Sequence, residues 1–257
     1  MEKLIIANWK SNPATIREAV LLAKKIERAV AQNLKISKFR NLEVVIAPPF
    51  PFLGAVGAVL QKTLLGAQDA FWEDVGPFTG EVSWRLLKVL GIRHVIVGHS
   101  ERRMHAGETD GMVNKKVSAL LAQGMIPILC VGEREREGNA IPEAVGVQLK
   151  NALQGLKPSS LGNLVVAYEP IWAISTTAGS LGPATPDNAL QAAMYIRKMV
   201  GRQYGPGAAQ KVRVIYGGSV NADNVVPFLR EGKMEGALVG GASLRPDEFI
   251  RLLANAA

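Results

Sequence analysis

The chain repeats one unit eight times: a short apolar run, often rich in Val and Ile, followed by an amphipathic stretch of helical period. The apolar runs cover 4–7, 44–47, 64–67, 94–97, 126–130, 164–167, 212–216 and 236–239. Continuous apolarity over so few residues reads as strands buried on both faces. The helical stretches between and after them are 15–30, 51–60, 83–90, 110–123, 141–156, 187–200, 221–229 and 246–255. In the first, apolar residues recur at 16, 19, 20, 22, 23, 26, 29 and 30, one face of a helix. Strict alternation predicts a parallel sheet with right-handed crossovers. Eight units predict a closed (β/α)8 barrel, with a doubly wound open sheet as the second possibility. A length of 257 residues suits one such domain spanning 1–257, and no low-complexity tract or shift of composition marks another. Asp187, following Pro186, is the expected cap of its helix.

The net charge of +8 raises nucleic acid, a membrane surface or an anionic small molecule as partners. The basic residues are scattered, and Arg134 and Arg136 lie among acids that cancel them. No aromatic residues interleave with them as a stacking platform would require. The reading is therefore no nucleic acid and no membrane. Nothing approaches 18 continuous apolar residues, and the opening MEKLIIANWK lacks the apolar core of a signal peptide. The one cysteine, Cys130, forms no internal disulfide. Together these predict a cytoplasmic location.

In a barrel of this kind, chemistry gathers at the C-terminal ends of the strands. Read there, the first run leads into ANWKSN with Asn8 and Lys10, the fourth into VGHSERR with His99, and the sixth into Tyr168 and Glu169. The last two runs lead into YGGSV and VGGASL. Glycines without Cβ atoms let backbone amides approach an anion, although tight turns would use them equally well. His94 stands at a strand start and reads as structural; His105 reads as solvent-facing. No paired spacing suggests a metal.

These stretches resemble the triosephosphate isomerase family. NWKSN is similar to its N-W-K-M-N loop, and VGHSERR, AYEPIWAI, YGGSV and GALVGGASL match its motifs from about Leu4 to Leu253. The resemblance implies a homodimer that interconverts dihydroxyacetone phosphate and glyceraldehyde 3-phosphate without cofactor or metal. It casts Glu169 as base, His99 as neutral electrophile, Lys10 as stabilising cation and Asn8 as its support. Ser100 and Glu101 fall in a supporting role. Amides of Ser175, Ser219, Gly240 and Gly241 would hold the phosphate, and Thr79, in PFTGE, would approach the partner's site. Ser100 to Arg102 would open a helix whose dipole disfavours a charged His99.

The small-residue run 175–186 then reads as a lid, because an enediol phosphate exposed to water loses its phosphate. The lid is also where the sequence departs from the pattern. STTAGSLGP is four residues longer than the family's usual stretch, and Ser175 stands in place of a glycine. Ser11 replaces a methionine and Pro13 follows Asn12 in the first loop, which bears on dimer strength. The altered lid leaves a non-catalytic or altered-specificity phosphosugar-binding barrel as the alternative reading.

Overall fold

Each strand turns alternate residues inward and outward, and both sets are apolar. In the computed structural model, which describes residues 2–35, 38–136, 140–173 and 184–257, Leu4, Ile6, Val45, Ala47, Ile128 and Ile215 fill one buried cluster. Their neighbours Ile5, Ala7, Val44, Ile46, Leu129 and Val214 join a second cluster with the helices. A strand in contact with protein on both faces has no use for polar residues, hence the unbroken apolar runs.

The strands are β1 (Lys3–Asn8), β2 (Leu42–Ala47), β3 (Leu64–Ala67), β4 (His94–Val97), β5 (Ile126–Val131), β6 (Val165–Tyr168), β7 (Arg213–Tyr216) and β8 (Gly236–Val239). They pair in parallel in sequence order, and β8 returns to β1, so the sheet closes as a barrel. The register at the seam is Leu4 with Gly236 through Ala7 with Val239. A Cβ on Gly236 would lie 1.9 Å from the Leu4 carbonyl oxygen, so closure there requires glycine. The open-sheet alternative is excluded.

The helices are α1 (Ile16–Lys35), α2 (Leu53–Gly57), α3 (Trp84–Val89), α4 (Ser100–His105), α5 (Asp110–Ala122), α6 (Glu143–Leu153), α7 (Pro186–Tyr204), α8 (Pro206–Lys211), α9 (Val225–Arg230) and α10 (Pro246–Ala256). The short α4 is the helix expected to open at Ser100, whereas α8 was not expected as a separate helix. The stretch 51–60 begins as a 3₁₀ turn, Phe50–Phe52, before α2. The helix expected from Asn221 starts later, because the Asn221 side chain accepts the amides of Asp223 and Asn224 and holds a turn. Asp187 does not cap α7. Thr185 does, accepting the Asn188 amide while the Asn188 side chain accepts the Thr185 amide. Pro186 occupies the first turn, where no amide is needed, and leaves the cap one residue before it.

At the base of the barrel, away from the strand ends that carry the site, His94 is buried and its Nε2 lies 3.1 Å from Glu43 Oε1. Arg213 Nη1 donates to the other Glu43 oxygen at 2.9 Å. His105 is exposed, as its position suggested. The bond from His94, with the Arg213 bond and both charges, outweighs burial and holds the Glu43 carboxyl at about 2 against an ordinary 4.5. A carboxylate with a depressed folded-state pKa stabilises the fold above its unfolded value and loses that contribution as pH falls toward the folded value. At about 1.4 kcal/mol per unit, discounted because solvent reaches part of the carboxyl, the contribution is on the order of 1–2 kcal/mol at neutral pH. Denaturation from pH 7 to 2 is therefore expected to show the parent losing stability below about 4.5, and Glu43→Gln showing a lower, flatter curve. Parallel curves would refute the assignment.

Candidate active site

Three strand ends separated by most of the sequence converge on one rim. Asn8 ends β1 and is buried. Its Oδ1 accepts the Lys10 amide at 3.0 Å, and the Gln68 side chain donates to the Lys10 carbonyl at 2.8 Å. These bonds hold Lys10 at φ 54, a left-handed conformation that a lysine adopts only under constraint. The Lys10 ammonium is thereby aimed over the barrel mouth, 2.5 Å from Glu101 Oε1.

His99 follows β4 and occupies the cap position of α4. Its Nδ1 accepts the Glu101 amide at 3.2 Å. A backbone N–H can only donate, so Nδ1 carries no proton and the imidazole is the neutral tautomer with its hydrogen on Nε2. Nε2 lies 3.1 Å from Glu169 Oε1, without the alignment of a hydrogen bond.

Glu169 follows β6 and is almost fully buried. Its amide donates to the Val131 carbonyl at 2.8 Å, which locks the backbone to β5. A Cβ on Gly132 would lie 1.7 Å from the Glu169 carbonyl oxygen, so that close crossing needs glycine on the β5 side. The carboxylate rests on the Ser100 amide, at 3.0 Å. Gly217 leaves room for it: a Cβ there would meet Glu169 Cγ at 2.9 Å. Cys130, fully buried, has its thiol pushed up by burial and by the Glu169 charge. It takes no part as a nucleophile at neutral pH.

A cavity of about 350 Å³ opens over this rim, lined by Asn8, Lys10, His99, Ser219, Gly240 and Gly241 among others. Among the described residues no acid lines it, and Lys10 and Arg245 are the cations that do. Glu169 stands just outside. The glycines divide by role. Gly218 is fixed by packing, since a Cβ would meet the Tyr216 hydroxyl at 2.3 Å, whereas Gly241 faces open space. Among the described residues no cluster could hold a metal, and no helix is long and apolar enough to cross a membrane. The Ser175 position lies outside the described residues. Thr79 is exposed on the loop between the bridged residues Phe71 and Ser83, and it does not line its own chain's cavity.

Sequence reading missed a second layer. Gln68 and Asp69 follow β3, and Asp69 is buried against Lys116 at 2.7 Å and Arg102 at 2.9 Å. Burial raises the Asp69 carboxyl above its ordinary value, with the Lys116 charge opposing that shift. Lys116 also pairs with buried Glu108. The signal for Gln68 and Asp69 was their place at a strand end; Lys116 sits mid-helix, where the sequence offers no sign of burial.

The triosephosphate isomerase family profile matches residues 3–256. Triosephosphate isomerase of Saccharopolyspora erythraea is 45% identical over 262 aligned positions, covering 100% of this chain and 97% of the relative. That of Thermoanaerobacter sp. strain X514 is 44% identical, covering 97% and 98%. That of Dictyoglomus thermophilum is 40% identical, covering 98% of each. A profile match over nearly the whole chain, on a closed barrel with this rim, means that the chain belongs to the triosephosphate isomerase family.

Proposed function

We propose that the chain interconverts dihydroxyacetone phosphate and D-glyceraldehyde 3-phosphate by proton transfer through an enediolate, using no cofactor. The observation that carries the residue roles is the meeting of Lys10, His99 and Glu169 around one cavity whose described lining holds no acid. Moving a carbonyl by one carbon needs a base for a weak carbon acid and charge stabilisation at the oxygens. Glu169 is that base, and one carboxylate suffices because it returns the proton to the neighbouring carbon. In the unliganded chain it rests on the Ser100 amide, so binding must draw it toward the cavity.

His99 serves the substrate oxygens. Its Nε2 hydrogen is free of any other hydrogen-bond commitment among the described residues, and a neutral imidazole can give and regain it. Lys10 supplies the full charge. Its partner Glu101 keeps it aligned in the unliganded state, and Asn8 fixes its backbone. The phosphate sits at the Ser219, Gly240 and Gly241 end of the cavity, with Ser175 of the lid expected to join it.

The active species is proposed to be a homodimer working in the cytoplasm. A smaller cavity of about 160 Å³ lies under Lys10, lined by Gln68, Asp69, Glu101 and Arg102, and suits the tip of a partner's loop. The loop carrying Thr79 projects with Val75 71% exposed, an apolar residue with no cover in the monomer.

Glu169→Gln is expected to lower turnover by roughly 10³-fold, since a positioned base contributes about 10²–10⁴. A coupled assay of glyceraldehyde 3-phosphate isomerisation reads this, and near-normal activity would show the base to be another group. Following methylglyoxal and free phosphate in the same samples tests the long lid. Little of either is expected when it covers the intermediate. For the dimer, Thr79→Arg is expected to shift sedimentation toward monomer and depress activity together; full activity in a monomeric species would refute the loop's role.

A further inference from the structure

We propose that Arg103 is a positioning residue for His99. The chemistry it serves rests on the role given to His99 above; the positioning itself is read from geometry. Arg103 lies in α4, and its side chain folds back beneath the loop that leaves β4. Its Nε donates to the Gly98 carbonyl at 2.8 Å. Its Nη1 pairs with Asp110 Oδ1 at 2.6 Å, and Asp110 Oδ2 accepts from the Asn151 side chain at 3.0 Å. The guanidinium is therefore anchored to α5 and, through it, to α6.

The Gly98 carbonyl belongs to the peptide plane that carries the His99 nitrogen, so holding that oxygen fixes where His99 begins. Gly98 has φ +69, a conformation open to glycine. A Cβ there would also meet Arg103 Nη2 at 3.1 Å and Val113 at 3.2 Å. The turn and the guanidinium thus pack against each other. On its far side, the His99 carbonyl accepts the amides of Arg102 at 2.9 Å and Arg103 at 3.1 Å. The ring accepts the Glu101 amide. Four bonds orient the imidazole, and the one before it in the chain comes from the Arg103 side chain.

A lysine cannot replace this arrangement fully. The planar guanidinium bonds Gly98 and Asp110 at once through fixed N–H groups, whereas one ammonium on a flexible stem has no such fork. Arg103 does not itself line the cavity, and the lining residue it bonds is His99, so its effect on the chemistry runs through His99.

The test compares Arg103→Met, Arg103→Lys and Asp110→Asn, reading kcat, KM and the imidazole ¹⁵N spectrum of His99. Arg103→Met is expected to lower kcat by about 100-fold, the scale of a misplacement near 1 Å, with KM nearly unchanged. Arg103→Lys should recover part of that loss. In both, the His99 ring should leave the single tautomer protonated on Nε2. Asp110→Asn, which weakens the anchor but leaves the Gly98 bond, should keep kcat close to the parent. If Arg103→Met does not fold, the lysine variant carries the same comparison. Parent-like kcat and ring spectrum in the Arg103 variants would overturn the proposal. So would equal losses in the Asp110 variant that track thermal stability, since they mark a purely structural tie. An inactive parent with the expected ring spectra would instead refute the catalytic reading and leave the positioning intact.

Discussion

Everything at the rim depends on the hydrogen-bonded return of β8 to β1. Lys10 follows the first strand, and Gly240 and Gly241 follow the last. In an open sheet those loops would stand at opposite edges. Parallel pairing through Leu4 and Gly236 brings them side by side, with Lys10 Cε 3.4 Å from where a Gly240 Cβ would lie. His99 and Glu169 come from β4 and β6, so the cavity needs the circle complete. The closure is stabilised by two apolar clusters, one on each face of each strand. Burial of that apolar area holds a polar rim that does little for stability itself.

The rim groups are held by bonds from the layer beneath them. Glu169 rests on an amide, His99 accepts an amide, and Lys10 lies against Glu101. Below them buried Asp69, Glu108 and Lys116 form an ionic group that the partly exposed Arg102 joins. A buried ion pair gains little over apolar packing, yet removing one partner is costly because the other is left uncompensated. Such a layer serves to fix geometry more than to add free energy, which suits a site whose chemistry depends on aimed charges.

The barrel was legible in the sequence because its cause is periodic. Two-faced burial writes itself as apolar runs, and helices write theirs as an amphipathic face. Lys10, His99 and Glu169 stood out as candidates because each lies within three residues of the end of a run, while the roles expected of them came from the family's motifs. Boundaries were less so. Thr185 displaced Asp187 as a cap through a reciprocal bond with Asn188 that no single residue advertises. Gln68, Arg103 and Lys116 act through contacts made across 58, 5 and 47 positions of sequence. Even the short separation at Arg103 is hidden, because it depends on the side chain folding back on a left-handed glycine.

Lys10 records a conflict between two kinds of selection. A glycine at that position would adopt φ 54 without strain, and selection for a durable fold alone would drift toward it. A lysine there gives up backbone comfort and places a charge at the cavity. Lys233 has φ 53 as well, so what sets Lys10 apart is that its side chain also lines the cavity. Were this barrel copied and the copy released from its duty, position 10 is where relaxation would register first, before any change reached the apolar clusters that keep it folded.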